Sequence, residues 1–115
     1  MINEEIFGGV DFPYQCAEVS QGTKIQGWAF SNLGDEIIVE IYIDNKLNWT
    51  TKTGIPRIDI LRLYPNFKNY GYSSGFISKL SLANFKPGHH QLRVIAKTNN
   101  SSRLIGQNTF VLGYL

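Results

Sequence analysis

At 115 residues and 43% hydrophobic, the chain has the length of one domain and enough apolar material for a core without disulfides or metal. Its 11 basic and 9 acidic residues leave a net charge of +2 and form no basic run, which argues against nucleic-acid binding. The single cysteine, Cys16, excludes an internal disulfide, and no stretch approaches the roughly 20 apolar residues of a membrane-inserted helix.

Residues 1–9, MINEEIFGG, read as a lead-in to a domain over 10–115. They are acidic and lack the basic-then-apolar pattern of a signal peptide. Two compartments are therefore expected: the cytoplasm, or a bacterial cell surface if Met1 is a boundary inside a longer polypeptide. Val10–Val19 reads as a broken first strand. Its Pro13 cannot donate to a ladder, so the segment belongs at a sheet edge or at a switch between sheets. Lys24–Phe30 is the next strand and is apolar on both faces, with Ile25, Gly27 and Ala29 on one and Trp28 and Phe30 on the other, as in a strand covered on both sides. Glu36–Asp44 alternates most clearly, with Ile37, Val39, Ile41 and Ile43 sharing a face. Asp44-Asn45-Lys46 reads as a tight hairpin turn, and Leu47–Lys52 as the returning strand.

The run 53–75 is too long for a hairpin loop and too irregular for a strand. It is also too rich in Ile, Leu, Tyr and Phe for disorder, so it reads as a structured crossover. Gly75–Leu82 follows as a strand with Phe76, Ser78, Leu80 and Leu82 on one face. In the next turn Phe85 is expected to tuck under the sandwich as a plug. His89–Thr98 turns His90, Leu92, Val94 and Ala96 inward. Residues 99–102 form a polar hairpin loop, and the last strand, Arg103–Leu112, offers Leu104, Phe110 and Leu112 to the core. About seven short strands separated by Gly, Pro and Asn imply an all-β antiparallel sandwich.

Several short motifs recur in a fixed order: Gly27-Trp28-Ala29, Tyr42-Ile43-Asp44, Gly54, the pair Arg57 and Asp59, Tyr64-Pro65, Ser74-Gly75-Phe76, and Pro87-Gly88-His89-His90 ahead of LRVIA. This ordered set resembles a bacterial immunoglobulin-like β-sandwich module found beside cell-wall and polysaccharide-associated enzymes and within some glycosyltransferase and methyltransferase polypeptides. The resemblance covers about residues 22–112. Ile58 departs from it where the pattern has Pro, Asn45 where it has Gly, and Ser78 where it often has an aromatic residue. It implies an accessory role, with no shared catalytic residue to carry over and no cofactor.

Among candidate site residues, Asp59 reads as a cap on a helical turn over 60–63, with Arg57 bracing the loop and Tyr64 and Pro65 completing the crossover. The alternative is a ligand-binding ion pair. Trp49, Tyr70 and Tyr72 offer rings on which sugar C–H faces stack, and Asn66, Lys68 and Asn69 offer partners for hydroxyls. The competing role for such rings is core or loop anchoring. Trp28 is expected beneath the crossover. His89 and His90 point to opposite faces of a strand and do not chelate one ion easily, so no metal site is expected. His90 instead reads as a packed, hydrogen-bonded residue, and Cys16 as a small buried one. Asn48-Trp49-Thr50 and Asn100-Ser101-Ser102 match the glycosylation sequon, which matters only in a eukaryotic secretory setting. The chain thus reads as a non-catalytic module binding carbohydrate or bacterial envelope glycan. The alternative is a spacer, docking or dimerisation domain that meets a protein partner, or itself, through a sheet edge or an apolar patch around Ile38, Tyr42 and Ile95.

Overall fold

The computed structural model describes residues 3–113. In chain order its elements are β1 (Ile6–Phe12), β2 (Glu18–Val19), β3 (Lys24–Ser31), β4 (Ile38–Ile43), β5 (Lys46–Lys52), α1 (Ile58–Leu63), a 3-10 turn (Pro65–Phe67), β6 (Gly75–Lys79), β7 (Gly88–Lys97) and β8 (Ser102–Leu112). The strands form two sheets, ordered β1-β3-β6 and β2-β8-β7-β4-β5, in a β-sandwich. All pairings are antiparallel except β2 with β8, which run parallel.

Alternation builds the core. Ile37, Val39, Ile41 and Ile43 are buried, as are Leu92, Val94 and Ala96 opposite them on β7, and Ile25, Ala29, Phe76, Leu80 and Leu82 close it from the other sheet. The Val, Leu, Ile and Phe side chains among them contribute about 1.5–3 kcal/mol each through removal from water. The turn joining β4 to β5 places Asp44 and Asn45 at φ 51° and 68°, the paired positive dihedrals of a two-residue hairpin turn whose twist matches its strands. Phe85 is half-buried against the core beneath β7, in the plug position.

Pro13 lies between β1 in the first sheet and β2 in the second, so the broken first strand is a switch between sheets. The lead-in is shorter than residues 1–9: Ile6–Gly9 already belong to β1, and Ile6 is a core residue. Gly8 and Gly9, which look like a loop in sequence, pair with Ala29 and Trp28. Close approach explains the glycine at Gly27. A Cβ there would stand 2.4 Å from the Gly9 carbonyl oxygen and 2.6 Å from the Phe76 ring, so no other residue fits without moving backbone.

Two expectations fail locally. Cys16 is exposed and sits at φ 64° in the loop between β1 and β2. In β8, Leu104 is 41% exposed whereas Ile105 packs against the core. A bulge is the reason. Val94 pairs with Gly106 and Ile95 with Leu104, so Ile105 is an extra residue that reverses the alternation. Accordingly, Ile105→Ala is expected to lower stability by about 1–2 kcal/mol through a partial cavity, whereas Leu104→Ala shifts it by less than about 0.5 kcal/mol. Urea unfolding of the two variants measures the difference.

Candidate functional site

The crossover starts where Gly54 and Ile55 donate backbone hydrogen bonds to the Gly75 carbonyl, with Gly75 donating back to Ile55. That bridge closes a loop of some twenty residues on itself. Within it, α1 buries Ile60 and begins at Ile58, with Arg57 at the N-cap and no side chain bonding the cap position. Asp59 therefore does not cap a helix over 60–63. It lies inside the first turn and receives the Arg57 guanidinium as a fork, Nε to Oδ1 at 2.9 Å and Nη2 to Oδ2 at 2.8 Å.

The same guanidinium reaches Asp11 on β1, Nη1 to Oδ2 at 2.7 Å, and the Gly27 carbonyl on β3 at 3.4 Å. Its backbone N–H donates to Tyr72 at 2.6 Å. One side chain thus links the helix, the far end of the crossover and two strands. The Arg57 hydrogen bonds hold the Asp59 carboxyl at about 2, and Asp59, with Asp11, pushes the guanidinium further up. The Asp59 contribution stands in full above about pH 4, the ordinary carboxyl range, and is lost as pH falls toward 2. Arg57→Ala is expected to cost about 1.5–3 kcal/mol, the scale of hydrogen bonds to charged groups, and to flatten the acid limb of a stability–pH profile read by thermal denaturation.

Beneath the crossover lies a second apolar layer made of rings. Tyr64 and Phe67 come down onto Phe7 at centroid distances of 5.2 Å each, and onto Phe30 at 5.3 and 5.8 Å. Trp28 adds contacts at 6.2 Å to Phe30 and 5.7 Å to Tyr64. Pro65 opens the 3-10 turn that carries Phe67 into place. On the outer face of β3, Phe30 is thereby buried and Trp28 half-buried.

The sequence-predicted ligand residues do not form one group. Trp49 is on the edge strand β5, 43% exposed, in a shallow surface hollow with Leu47, Asn48 and Thr50. Tyr72 is 41% exposed, and Asn66, Lys68 and Asn69 are exposed on the crossover. Tyr70 is half-buried, with the Lys68 ammonium 5.9 Å above its ring. Asn69 and Tyr70 line a cleft of about 360 Å³ together with Ser73, Thr53, Asp35 and Glu36. Gly34 makes the cleft possible. At φ 75°, it accepts the Tyr70 ring edge 2.5 Å from where a Cβ would stand.

Asp35 and Glu36 thus form one wall of the cleft. No spacing links position 35 to position 70, and only the fold joins them. Glu36 pairs with Lys52 at 2.8 Å, whose hydrogen bond and charge lower its carboxyl pKa. Asp35 is raised by its hydrogen bond to Glu4, and Glu4 is lowered, first by the Ser31 hydroxyl donating at 2.6 Å and then by Thr98. A larger groove of about 650 Å³ adjoins, sharing Asp35 and Glu36 and continuing over Ile38, Glu40 and Lys97. Among the described residues no three His, Cys, Asp or Glu side chains are arranged to hold a metal ion. His89 faces out, while His90 packs between Phe85 and Phe110.

No family model matches the sequence, and no curated protein matches it either. Solved structures do match in shape. One is the endo-beta-1,4-mannanase from Thermotoga petrophila, with a TM-score of 0.60 and 11% identity over 96% of this chain and 20% of that one. Another comprises the fibronectin(III)-like modules of Clostridium thermocellum CbhA, with a TM-score of 0.54 and 11% identity over 97% of this chain and 47% of that one. The chain thus spans less than half the length of either. The likeness establishes an immunoglobulin- or fibronectin(III)-like sandwich.

Proposed function

We propose that the chain is a non-catalytic accessory module that binds carbohydrate, within a polypeptide acting on polysaccharide or bacterial envelope glycan. The observation that carries this reading is the Tyr70 cleft. It sets an aromatic ring beside the amide of Asn69, the hydroxyls of Ser73 and Thr53 and the carboxylates of Asp35 and Glu36. A sugar presents just this combination of needs, a C–H face for the ring and hydroxyls for a few convergent polar groups. The sandwich shared with a fibronectin(III)-like module and with part of a mannanase supports the setting. The reading assigns no catalytic residue and no cofactor. Lys68 stands over the Tyr70 ring, whereas Asn66 and Tyr72 on the crossover and Trp49 on β5 are not among the residues lining the cleft.

A second reading, a spacer, docking or dimerisation domain, draws on the outer face of the five-stranded sheet. There Ile38, Tyr42 and Ile95 are half-buried, and Ile95 pairs in register with exposed Leu104. Screening against bacterial and plant glycans separates the two. Specific binding is expected, weakened about tenfold by Tyr70→Ala, the upper scale of one aromatic contact, and unchanged by Trp49→Ala. Loss in Trp49→Ala alone would move the site to the β4–β5 hairpin. Absence of any glycan signal from the folded protein would favour the spacer or docking role.

A further inference from the structure

The imidazole of His90 has acceptors on both nitrogens. Nδ1 lies 2.6 Å from Asp44 Oδ2 and Nε2 lies 2.6 Å from the Lys86 carbonyl oxygen. A backbone carbonyl has no proton to give, and a carboxylate has none above its own titration. Both contacts therefore require an N–H on the ring, and a neutral imidazole has only one. The geometry is that of an imidazolium. We propose that His90 is a pH-released latch, fastening loop 83–87 to the β4–β5 turn while the ring is cationic and freeing one of them when it loses a proton.

The two partners differ in how firmly they are held. Asp44 is fixed by the Gln91 N–H, which donates to its Oδ1 at 2.9 Å, and by its place in the hairpin turn. The Lys86 carbonyl belongs to a loop that contains Pro87 and lacks strand pairing. Deprotonation leaves a lone pair on one ring nitrogen, and the retained proton goes to the charged partner, Asp44. Nε2 then faces the carbonyl oxygen lone pair to lone pair, and the loop is the part free to withdraw. Phe85, edge-on to the ring at 5.3 Å, leaves with it and uncovers that end of the core.

The side chain of His90 is only 12% exposed. Asp44 faces the ring from the turn, and Lys86 faces it from the loop through its carbonyl. Phe110, on β8, and Phe85 are its untitratable neighbours. Partial burial works to lower the His90 pKa, but the hydrogen bonds to Asp44 and Lys86 and the Asp44 charge outweigh it, and the value is raised. The latch therefore contributes fully below about pH 6.5, the ordinary histidine value, and its contribution is lost as pH rises through the folded value.

Nitrogen-15 NMR of the imidazole rings of the full chain, titrated from pH 5 to 9, tests this. Both His90 nitrogens are expected to be protonated at pH 6.5, with a midpoint above the ordinary histidine value of about 6.5. Amide exchange at 84–86, corrected for intrinsic base catalysis, should accelerate at the same midpoint. Asp44→Asn, which retains a residue suited to the turn, should lower both the midpoint and the exchange step together. A His90 that titrates at or below about 6.5, or loop exchange indifferent to the His90 transition, would overturn the proposal.

Discussion

The constraint on which the rest of the structure depends is the double-sided apolar character of β3. Ile25 and Ala29 satisfy the sandwich core, and that leaves Trp28 and Phe30 on the opposite face of a sheet only three strands wide. A three-stranded sheet cannot leave two adjacent large rings in water without forming an exposed apolar patch. The crossover between β5 and β6 is the answer. It carries Tyr64 and Phe67 back over those rings, and Phe7 from β1 completes the layer. The molecule is therefore two sheets plus a partial third layer.

A covering layer made of a single turn of helix and a 3-10 turn has little stability of its own, because helix nucleation is costly and six residues gain few hydrogen bonds. Arg57 supplies what the segment lacks. Its planar fork engages the carboxylate in the first turn of α1 while its remaining nitrogen reaches the strand beneath. A lysine would carry the charge without the fork. The tyrosine cleft follows from the same arrangement, since the chain leaving the 3-10 turn must pass the β3–β4 turn on its way back to β6.

Much of the sandwich was legible in the residues. The alternation of β4 and β7, the hairpin turn at Asp44-Asn45 and the structured nature of 53–75 each follow from a local rule, and the structure has all three. What was not legible came from events between distant segments. The reversal at Ile105 depends on a bulge set by how β8 meets β7, and the composition of β8 does not betray it. The strand character of Gly8 and Gly9 arises because β3 comes close enough to exclude side chains. Asp59 looked like a cap because caps favour aspartate, but the helix begins two residues earlier, at Ile58, with Arg57 in the N-cap position. For the cleft, Asn69 and Tyr70 could be picked out by residue type, whereas Asp35 and Glu36 became part of it only through the fold.

The parallel pairing of β2 with β8 has a kinetic consequence. Glu18 and Val19 find their partners at Val111 and Leu112, so a segment made early in this domain waits for one made some ninety residues later. The β4–β5 and β7–β8 pairings join consecutive strands and form at little entropic expense. The final seam closes a loop of more than ninety residues. Such distant pairings slow folding, and until β8 has paired with β7 the edge of β7 and the apolar inner faces of both sheets stand open to other chains. For this sandwich, the interval between synthesis of β7 and arrival of β8 is the period of greatest exposure to misassembly.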